Sequence, residues 1–474
     1  MTAATNRERP NVLFIAVDDM RTQLGCYGHA EMVTPHLDAL ADSGVRFDSA
    51  YCNLPVCGPS RAATMTGLRP QLGRFMKRNC LAEVDAPHAV PLHTYFRQHG
   101  YHTISNGKVL DQPDDHLDGW SEPPWRCNDA EGRFFDCYAL PESLEAERLH
   151  KAVPPVTRGV HRGPAYECAD VDDDTYSDGR TATRAVADLE RLGAGEMPFF
   201  MAVGFPRPHL PFIAPKRYWD LYQFDEIGLP DNYALPAGAP AAADRDWNEL
   251  RLYAGMPTEG PVPDDEARRV IHGYYACVSY VDAQVGRLLR TLDELGLTDR
   301  TVVVFWSDHG YNLGEHGMWC KHTTFETNMR VPLIIRAPGH GDAGWSPSQF
   351  VLLSELYPTL CELTGLSVPE HVDGRSFADL MAADSVAPDR DTAVGRMYQA
   401  ETLRTAVERY TEFFDVSTGE GRGRMLFDLE NDPDETVNLA ERPERAERVD
   451  ILRSMLIDEL PADHPFRSPP VVGQ

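Results

Sequence analysis

Runs of nearly uninterrupted apolar residues recur along the chain, at 11–17, 198–203, 301–306 and 331–335. A strand with one wet face alternates apolar and polar positions, so these runs predict strands buried on both faces, as in a parallel sheet. Residues 101–104 predict a further strand. Between the runs the apolar spacing lengthens to that of a helix. Thr34-Pro35 opens a helix through Leu37, Leu40 and Ala41 that Gly44 stops, 92–96 gives a short helix ended by Gly100, and 181–192 is amphipathic. The longest pattern covers 264–297, where Val270, Tyr274, Val278, Val281, Val285, Leu288 and Leu292 form one stripe that reads as core packing. Residues 111–178 are rich in Pro, Gly, Asp and aromatics with little periodicity, and predict loops laid over the working face. A helix opening at Ser354-Glu355-Leu356 closes the large unit, and short strand-like pieces follow residue 375. The expected organisation is an α/β domain over 1–375 and a small α+β subdomain over 376–474.

A chain of 474 residues is long enough to bury a large core. Its formal net charge of −28 argues against nucleic acid as a partner, since phosphates are repelled at long range. An anionic substrate therefore needs a local basic pocket. No run approaches the roughly 20 apolar residues that span a bilayer, so no membrane association is expected. The stretch from Met1 to Arg9 is polar and lacks a signal-peptide pattern, which makes cytoplasmic residence the expectation unless a leader has been removed. The 10 cysteines are scattered without CxxC or zinc spacing. Cys127 and Cys137 bracket a short loop and can pair in an oxidising compartment, although free thiols are the expected state.

Chemistry-bearing residues sit where these elements end. Asp18-Asp19 closes the first strand, and Asp308-His309 closes the strand at 301–306. Open α/β sheets hold ligands at the carboxyl ends of their strands, so these residues are candidates for a divalent cation. An isolated Asp-Asp is more often an Asx turn or helix cap. Cys57-Gly58-Pro59-Ser60-Arg61 starts a helix that is free of breakers until Gly67, with Arg61 returning to the face of Cys57 and free N–H groups favouring an anion. A lone cysteine at a helix entrance is usually a small buried thiol. Lys108 follows Asn106-Gly107 at a strand end, and His209 lies between Pro208 and Pro211, which restrict the backbone around a proton donor. Arg74, Lys77 and Arg78 form a basic knot in an acidic chain.

The string Cys57-x-Pro59-Ser60-Arg61, followed by Thr66-Gly67, resembles the signature of type I sulfatases, in which the cysteine is oxidised enzymatically to formylglycine. Similarity extends over about residues 10–445 and is closest to iduronate-2-sulfatase-like members. It is carried by Gly204-Phe205 with Pro208-His209, by the stretch from Ser279 to Leu289, and by Ser307-Asp308-His309-Gly310 with Leu313-Gly314-Glu315-His316-Gly317. The resemblance implies an alkaline-phosphatase-like sandwich, with a large mixed, mainly parallel sheet between helices and an antiparallel sheet in a small C-terminal domain. It implies a sulfuric ester hydrolase matured by a formylglycine-generating enzyme. One divalent cation, Ca²⁺ first and Mg²⁺ or a transition metal next, is implied on Asp18, Asp19, Cys57, Asp308 and His309. Arg61, Lys108 and Lys321 are then expected on the sulfuryl oxygens, with His209 as acid to the leaving alkoxide.

The implied substrate is a small sulfated saccharide, and Arg74, Lys77 and Arg78 fit the carboxylate of a 2-O-sulfated uronate or a second sulfate. One departure stands out. The family places a histidine two or three residues after the lysine, where this chain has Leu110 and Asp111, so His116 is the expected substitute. Two rival readings remain beside this one: a phosphonate or phosphate monoester hydrolase of the alkaline phosphatase superfamily, and a non-catalytic sulfated-glycan-binding protein. No oligomeric state follows from the sequence.

Overall fold

The computed structural model describes residues 9–127, 135, 138–153, 161–245, 249–384, 390–462, 464 and 466. The apolar runs become the centre of a 6-stranded sheet. β1 (Asn11–Val17), β2 (Val45–Arg46), β3 (His102–Gly107), β4 (Phe199–Phe205), β5 (Thr301–Ser307) and β6 (Leu333–Arg336) lie in the order β2-β6-β5-β1-β4-β3. Strands β5, β1, β4 and β3 are parallel, while β6 runs antiparallel to both its neighbours, giving the mixed, mainly parallel sheet expected. Every residue of β1, β4 and β5 is buried, as an apolar run without alternation requires. Successive residues still point to opposite faces. Leu13, Ile15 and Val17 join one core, and Val12, Phe14 and Ala16 join the other.

Helices cover both faces. They are α1 (Pro35–Ser43), α2 (Cys57–Thr66), α3 (Ser177–Gly193), α4 (Asp264–Glu294) and α5 (Leu356–Leu363). The whole stripe read on α4, from Val270 to Leu292, is buried in the core that contains Leu13 and Ile15. Each such side chain contributes roughly 1.5–3 kcal/mol of burial. On the other face, Leu356 and Leu360 of α5 pack into the core of Val12 and Phe14. The C-terminal part is a 4-stranded antiparallel sheet, in order β7 (Thr392–Met397), β8 (Ala400–Thr405), β9 (Glu408–Phe414) and β10 (Gly421–Asp428). Leu403, Tyr410 and Leu426 of that sheet pack on Val449, Leu452 and Leu456 of α6 (Ala446–Glu459).

The stretch expected to be loops is more ordered than its sequence indicated. It contains a helix at Pro141–Lys151 and a short strand at Tyr166–Ala169. That helix starts on Pro141 but buries only Ser143 and Glu147, with Leu149 53% exposed, so it carries no apolar stripe. The pairing considered for Cys127 and Cys137 lies outside the described residues, because Cys137 is not among them. Among the described residues no helix is long and apolar enough to cross a membrane.

Candidate active site

The sheet register assembles the floor of a site. Beyond the strand ends the backbone ladder continues for one more residue: Asp18 N–H donates to Phe205 O at 3.1 Å, Asp308 N–H to Val17 O at 3.2 Å, and Lys108 N–H to Gly204 O at 2.8 Å. Asp18, Asp308 and Lys108 are thereby set side by side. A Cβ on Gly204 would lie 1.9 Å from the Lys108 carbonyl oxygen, so only glycine lets β3 and β4 approach this closely. Asp19 adopts a left-handed φ of 66°, and its N–H donates to Asp308 Oδ1 at 3.2 Å.

Cys57 is the first residue of α2, and all 10 residues of that helix are buried despite their polarity. Burial is possible because the polar groups are satisfied: Ser60 donates to Asp308 O at 2.5 Å, Thr64 to Ser60 O at 2.9 Å and Thr66 to Ala62 O at 2.7 Å. A Cβ on Gly58 would meet the Arg78 carbonyl oxygen at 2.1 Å, so the loop after α2 closes directly over the residue next to Cys57. Arg61 departs from its expected place on the sulfuryl oxygens. It is fully buried, with Nε donating to Asp308 Oδ2 at 2.8 Å, Nη1 to the Lys108 and Val109 carbonyls, and Nη2 to Val17 O at 3.2 Å and Asp18 Oδ1 at 3.5 Å. Two buried carboxylates need a cation inside the protein, and the guanidinium supplies it with all its donors.

Asp18, Asp19, Cys57 and His309 converge, each offering one donor atom within 4.8 Å of the others. His309 Nδ1 donates to Gly310 O at 2.9 Å, which leaves the Nε2 lone pair facing Cys57 Sγ at 3.3 Å and Asp19 Oδ1 at 3.5 Å. That tautomer and the two buried carboxylates fit a divalent cation. Asp308 stands at the edge of the set: Oδ2 is held by Arg61, and Oδ1 accepts two backbone N–H groups while lying 3.7 Å from His309 Nε2.

Each aspartate of the pair has its own lysine, and each lysine an outer carboxylate. Lys108 Nζ lies 2.6 Å from Asp18 Oδ2 and 3.1 Å from Asp111 Oδ1, whereas Lys321 Nζ lies 2.8 Å from Asp19 Oδ2 and 3.6 Å from Glu249 Oε2. The charges divide accordingly. Burial alone would raise Asp18, yet Lys108 and Arg61 hold it well below the usual carboxylate range. Burial wins at Asp19, where Asp18, Asp308 and Glu249 add repulsion and push the carboxyl well up against the pull of Lys321. Burial, with Asp18 beside it, also raises the Cys57 thiol. A raised thiol is a poor nucleophile. Both lysines stay protonated, because their carboxylates outweigh burial.

His209 arrives from the loop after β4. Its Nδ1 donates to Leu210 O at 2.6 Å, and its Nε2 faces Glu249 Oε1 at 3.3 Å and Asp19 Oδ2 at 4.0 Å. Burial and then Lys321 lower its pKa to about 3, with Glu249 and Asp18 acting the other way. Of the basic knot, Arg78 lies close enough to influence Glu249, His322 and Tyr398. Arg74 turns away and pairs with Asp373 at 2.8 Å, and Lys77 is exposed. His116 does not substitute for the missing histidine. It lies 4.0 Å from Asp115 with its ring against His93, while Asp111 takes the place beside Lys108.

Sequence reasoning missed Glu249, Asp111, Arg245 and Tyr398. Only Asp111 had a signal, being the residue found where the histidine was sought. Tyr398, at the tip between β7 and β8, sets its ring edge-on to His322 at 6.1 Å and lies within electrostatic reach of Arg78, Arg245 and Cys57.

A conserved-family model described as Sulfatase matches residues 10–366, and one described as N-sulphoglucosamine sulphohydrolase, C-terminal, matches residues 314–461. The chain belongs to the sulfatase family and is a hydrolase of sulfate esters. Among its relatives, iduronate 2-sulfatase of Homo sapiens is 34% identical over 404 residues, covering 77% of this chain and 71% of the relative. The solved structure of a protein in complex with its substrate D-glucosamine-2-N,6-O-disulfate superposes with a TM-score of 0.76 at 23% identity, covering 95% of this chain and 97% of the other. A phosphonate monoester hydrolase of Agrobacterium radiobacter shares the fold at a TM-score of 0.71 and 24% identity, with 95% of each chain covered.

Proposed function

We propose that the chain removes sulfate from a small saccharide that carries a second anionic group, a 2-O-sulfated uronate fitting best, with residue 57 matured to formylglycine. The observation that carries this reading is the convergence of two buried, protonated lysines with Cys57 over the Asp18, Asp19 and His309 cluster. Matured by a formylglycine-generating enzyme, residue 57 would present a geminal diol, one hydroxyl attacking sulfur and the other, on losing its proton, expelling sulfate. Asp18, Asp19, Asp308 and His309 would hold the cation together with residue 57. With an oxygen in place of the thiol this set is mostly carboxylate, which favours Ca²⁺, while the His309 nitrogen also suits Mg²⁺ less well than a transition metal. Such a cation would lower the pKa of the diol and neutralise developing charge.

The remaining steps fall to the side chains themselves. Lys108 and Lys321 stabilise the sulfuryl oxygens, Arg61 keeps Asp18 and Asp308 in register, and His209 protonates the departing alkoxide through Nε2. Charge developing on that oxygen offsets the burial that otherwise keeps His209 neutral. Arg78 and Arg245, which have no carboxylate partner among the described residues, support recognition of the second anion. The test is the mass of the Cys57 peptide from mature protein, together with turnover of 4-nitrophenyl sulfate and a matched aryl phosphonate. Loss of mass matching thiol-to-aldehyde conversion and preference for the sulfate are expected. Preference for the phosphonate would support the monoester hydrolase reading, and tight binding without turnover a glycan-binding protein.

A further inference from the structure

A cavity of about 560 Å³ lies between the segment that leaves β1, the loop at 221–232, the first half of α4 and the turn at 433–435. None of the residues placed in the active site lines it. Seven carboxylates and two guanidinium groups do. Three of the carboxylates are answered inside the protein, Glu315 by Arg21 at 2.6 Å, and Glu326 and Glu435 by Arg409. The second lining guanidinium, Arg330, is held by the Asp48 carbonyl at 2.7 Å and adds to the field at Glu326. Glu226, Asp231 and Asp434 have no cation partner among the described residues. The wall is short of positive charge.

Two buried side chains that line the cavity are short of hydrogen-bond partners as well. Gln23 is 8% exposed, and its Nε2 donates to Tyr275 Oη at 2.7 Å and to Glu31 Oε1 at 3.1 Å. Those contacts fix the amide, since a flipped group would set oxygen against the Glu31 carboxylate, and Oε1 is left as an acceptor without a donor. His316 is 3% exposed, with its ring stacked 3.8 Å from that of Phe325 and its Nδ1 unpartnered among the described residues. Burial lowers its pKa to about 4 against the pull of Glu315 and Asp432, so the imidazole is neutral and one nitrogen accepts. Buried acceptors left open in a native structure point to a donor that is not part of the chain. These acceptors are spread along the walls: among the described residues, the active-site set alone gathers three or more ligand atoms within 4.8 Å. A metal ion needs such a gathering, whereas a string of ammonium groups does not. Tyr222 and Tyr275, with rings 5.4 Å apart at 60°, add aromatic surface for the methylenes and charges between.

We propose that this cavity binds a linear aliphatic polyamine, whose ammonium groups reach Glu226, Asp231 and Asp434 at the rim and donate to Gln23 Oε1 and His316 inside. An ammonium group carries three donors and no acceptor, which matches walls that lack donors and positive charge. The net charge of −28 draws cations to the whole surface, and the buried acceptors select among them. The site stands apart from the sulfate chemistry and from the maturation of residue 57.

The experiment titrates spermidine into the full-length, metal-loaded protein by calorimetry at fixed ionic strength. One site per chain is expected, binding spermidine about tenfold or more tightly than propylamine or Mg²⁺. Replacing two rim carboxylates together, Glu226→Gln with Asp231→Asn, should weaken binding about tenfold. The matched pair Glu444→Gln with Glu447→Gln removes the same charge from exposed positions that do not line the cavity, and should weaken it less than about twofold. Equal weakening by both pairs, or Mg²⁺ binding as tightly as spermidine, would overturn the proposal in favour of a diffuse counter-ion atmosphere. Gln23→Met removes the buried acceptor and should weaken binding about tenfold again. A crystal structure of the wild type with spermidine decides the place independently of any variant. Density running from Asp434 to Gln23 is expected, and density at Asp18 and Asp19 alone, or none, would overturn the assignment.

Discussion

At the floor of the site every charged side chain meets an opposite charge inside the protein: Arg61 with Asp308 and Asp18, Lys108 with Asp18 and Asp111, Lys321 with Asp19 and Glu249. At the mouth, Arg78 and Arg245 have no carboxylate partner among the described residues, in a chain whose net charge is −28. The floor is made of strand ends whose neighbours are set by sheet register, and the mouth of loops and the tip of the C-terminal sheet. Buried charges must be neutralised where they stand, so the floor is preorganised and intolerant of single losses. Arg78 is exposed and Arg245 half-buried, with burial lowering its pKa, so an arriving anion gives each a counter-charge and the mouth discriminates without being required for folding.

The largest effect should come from the floor. Asp19→Ala is expected to lower kcat by about 10³-fold or more and to reduce bound divalent metal after dialysis, measured by turnover of 4-nitrophenyl sulfate and by elemental analysis. Retention of both would remove Asp19 from the cation site. Arg61→Met should leave Asp308 and Asp18 short of a counter-charge and destabilise the fold by about 3–5 kcal/mol, read by denaturant titration. A loss below about 1 kcal/mol would show that the clamp is dispensable and that floor and mouth differ less than their geometry indicates.

Changes at the mouth should be smaller and selective for substrate. Arg78→Ala and Arg245→Ala are each expected to raise KM about tenfold for a sulfated uronate, with kcat and the rate on 4-nitrophenyl sulfate almost unchanged. Equal loss on both substrates would place these arginines in the floor. Arg74→Ala should alter every kinetic constant by less than about twofold, because its half-exposed pair with Asp373 points away from the site. A large effect there would redraw the boundary of the mouth.

Several parts of this protein were legible in its residues because they are local. The apolar runs at β1, β4 and β5 have no polar face to show to water, so their burial in a parallel sheet followed from composition alone. The α4 stripe repeats at helical spacing, and every member proved buried. The start of α2 at Cys57 followed from Pro59 and its end from Gly67, which caps the helix at a φ of 69°. Asp18-Asp19 and Asp308-His309 stood at strand ends, where an open α/β sheet gathers its ligands.

Tertiary structure alone decided the rest. The helix at Pro141–Lys151 was hidden because it buries too little to print a period. Arg61 was correctly placed on the face of Cys57 but wrongly aimed, since its five donors answer to carboxylates and carbonyls 43 to 247 residues distant. Glu249 carries no motif and meets His209 and Lys321 only because separate loops return to one point above the sheet. By itself the sequence determined which residues end the buried strands and start the nucleophile helix, since hydrophobic period and backbone stereochemistry act over a few positions. Which charge neutralises which, and which side chains close the mouth, were decided by the fold, because electrostatic partners are chosen by distance through space rather than along the chain.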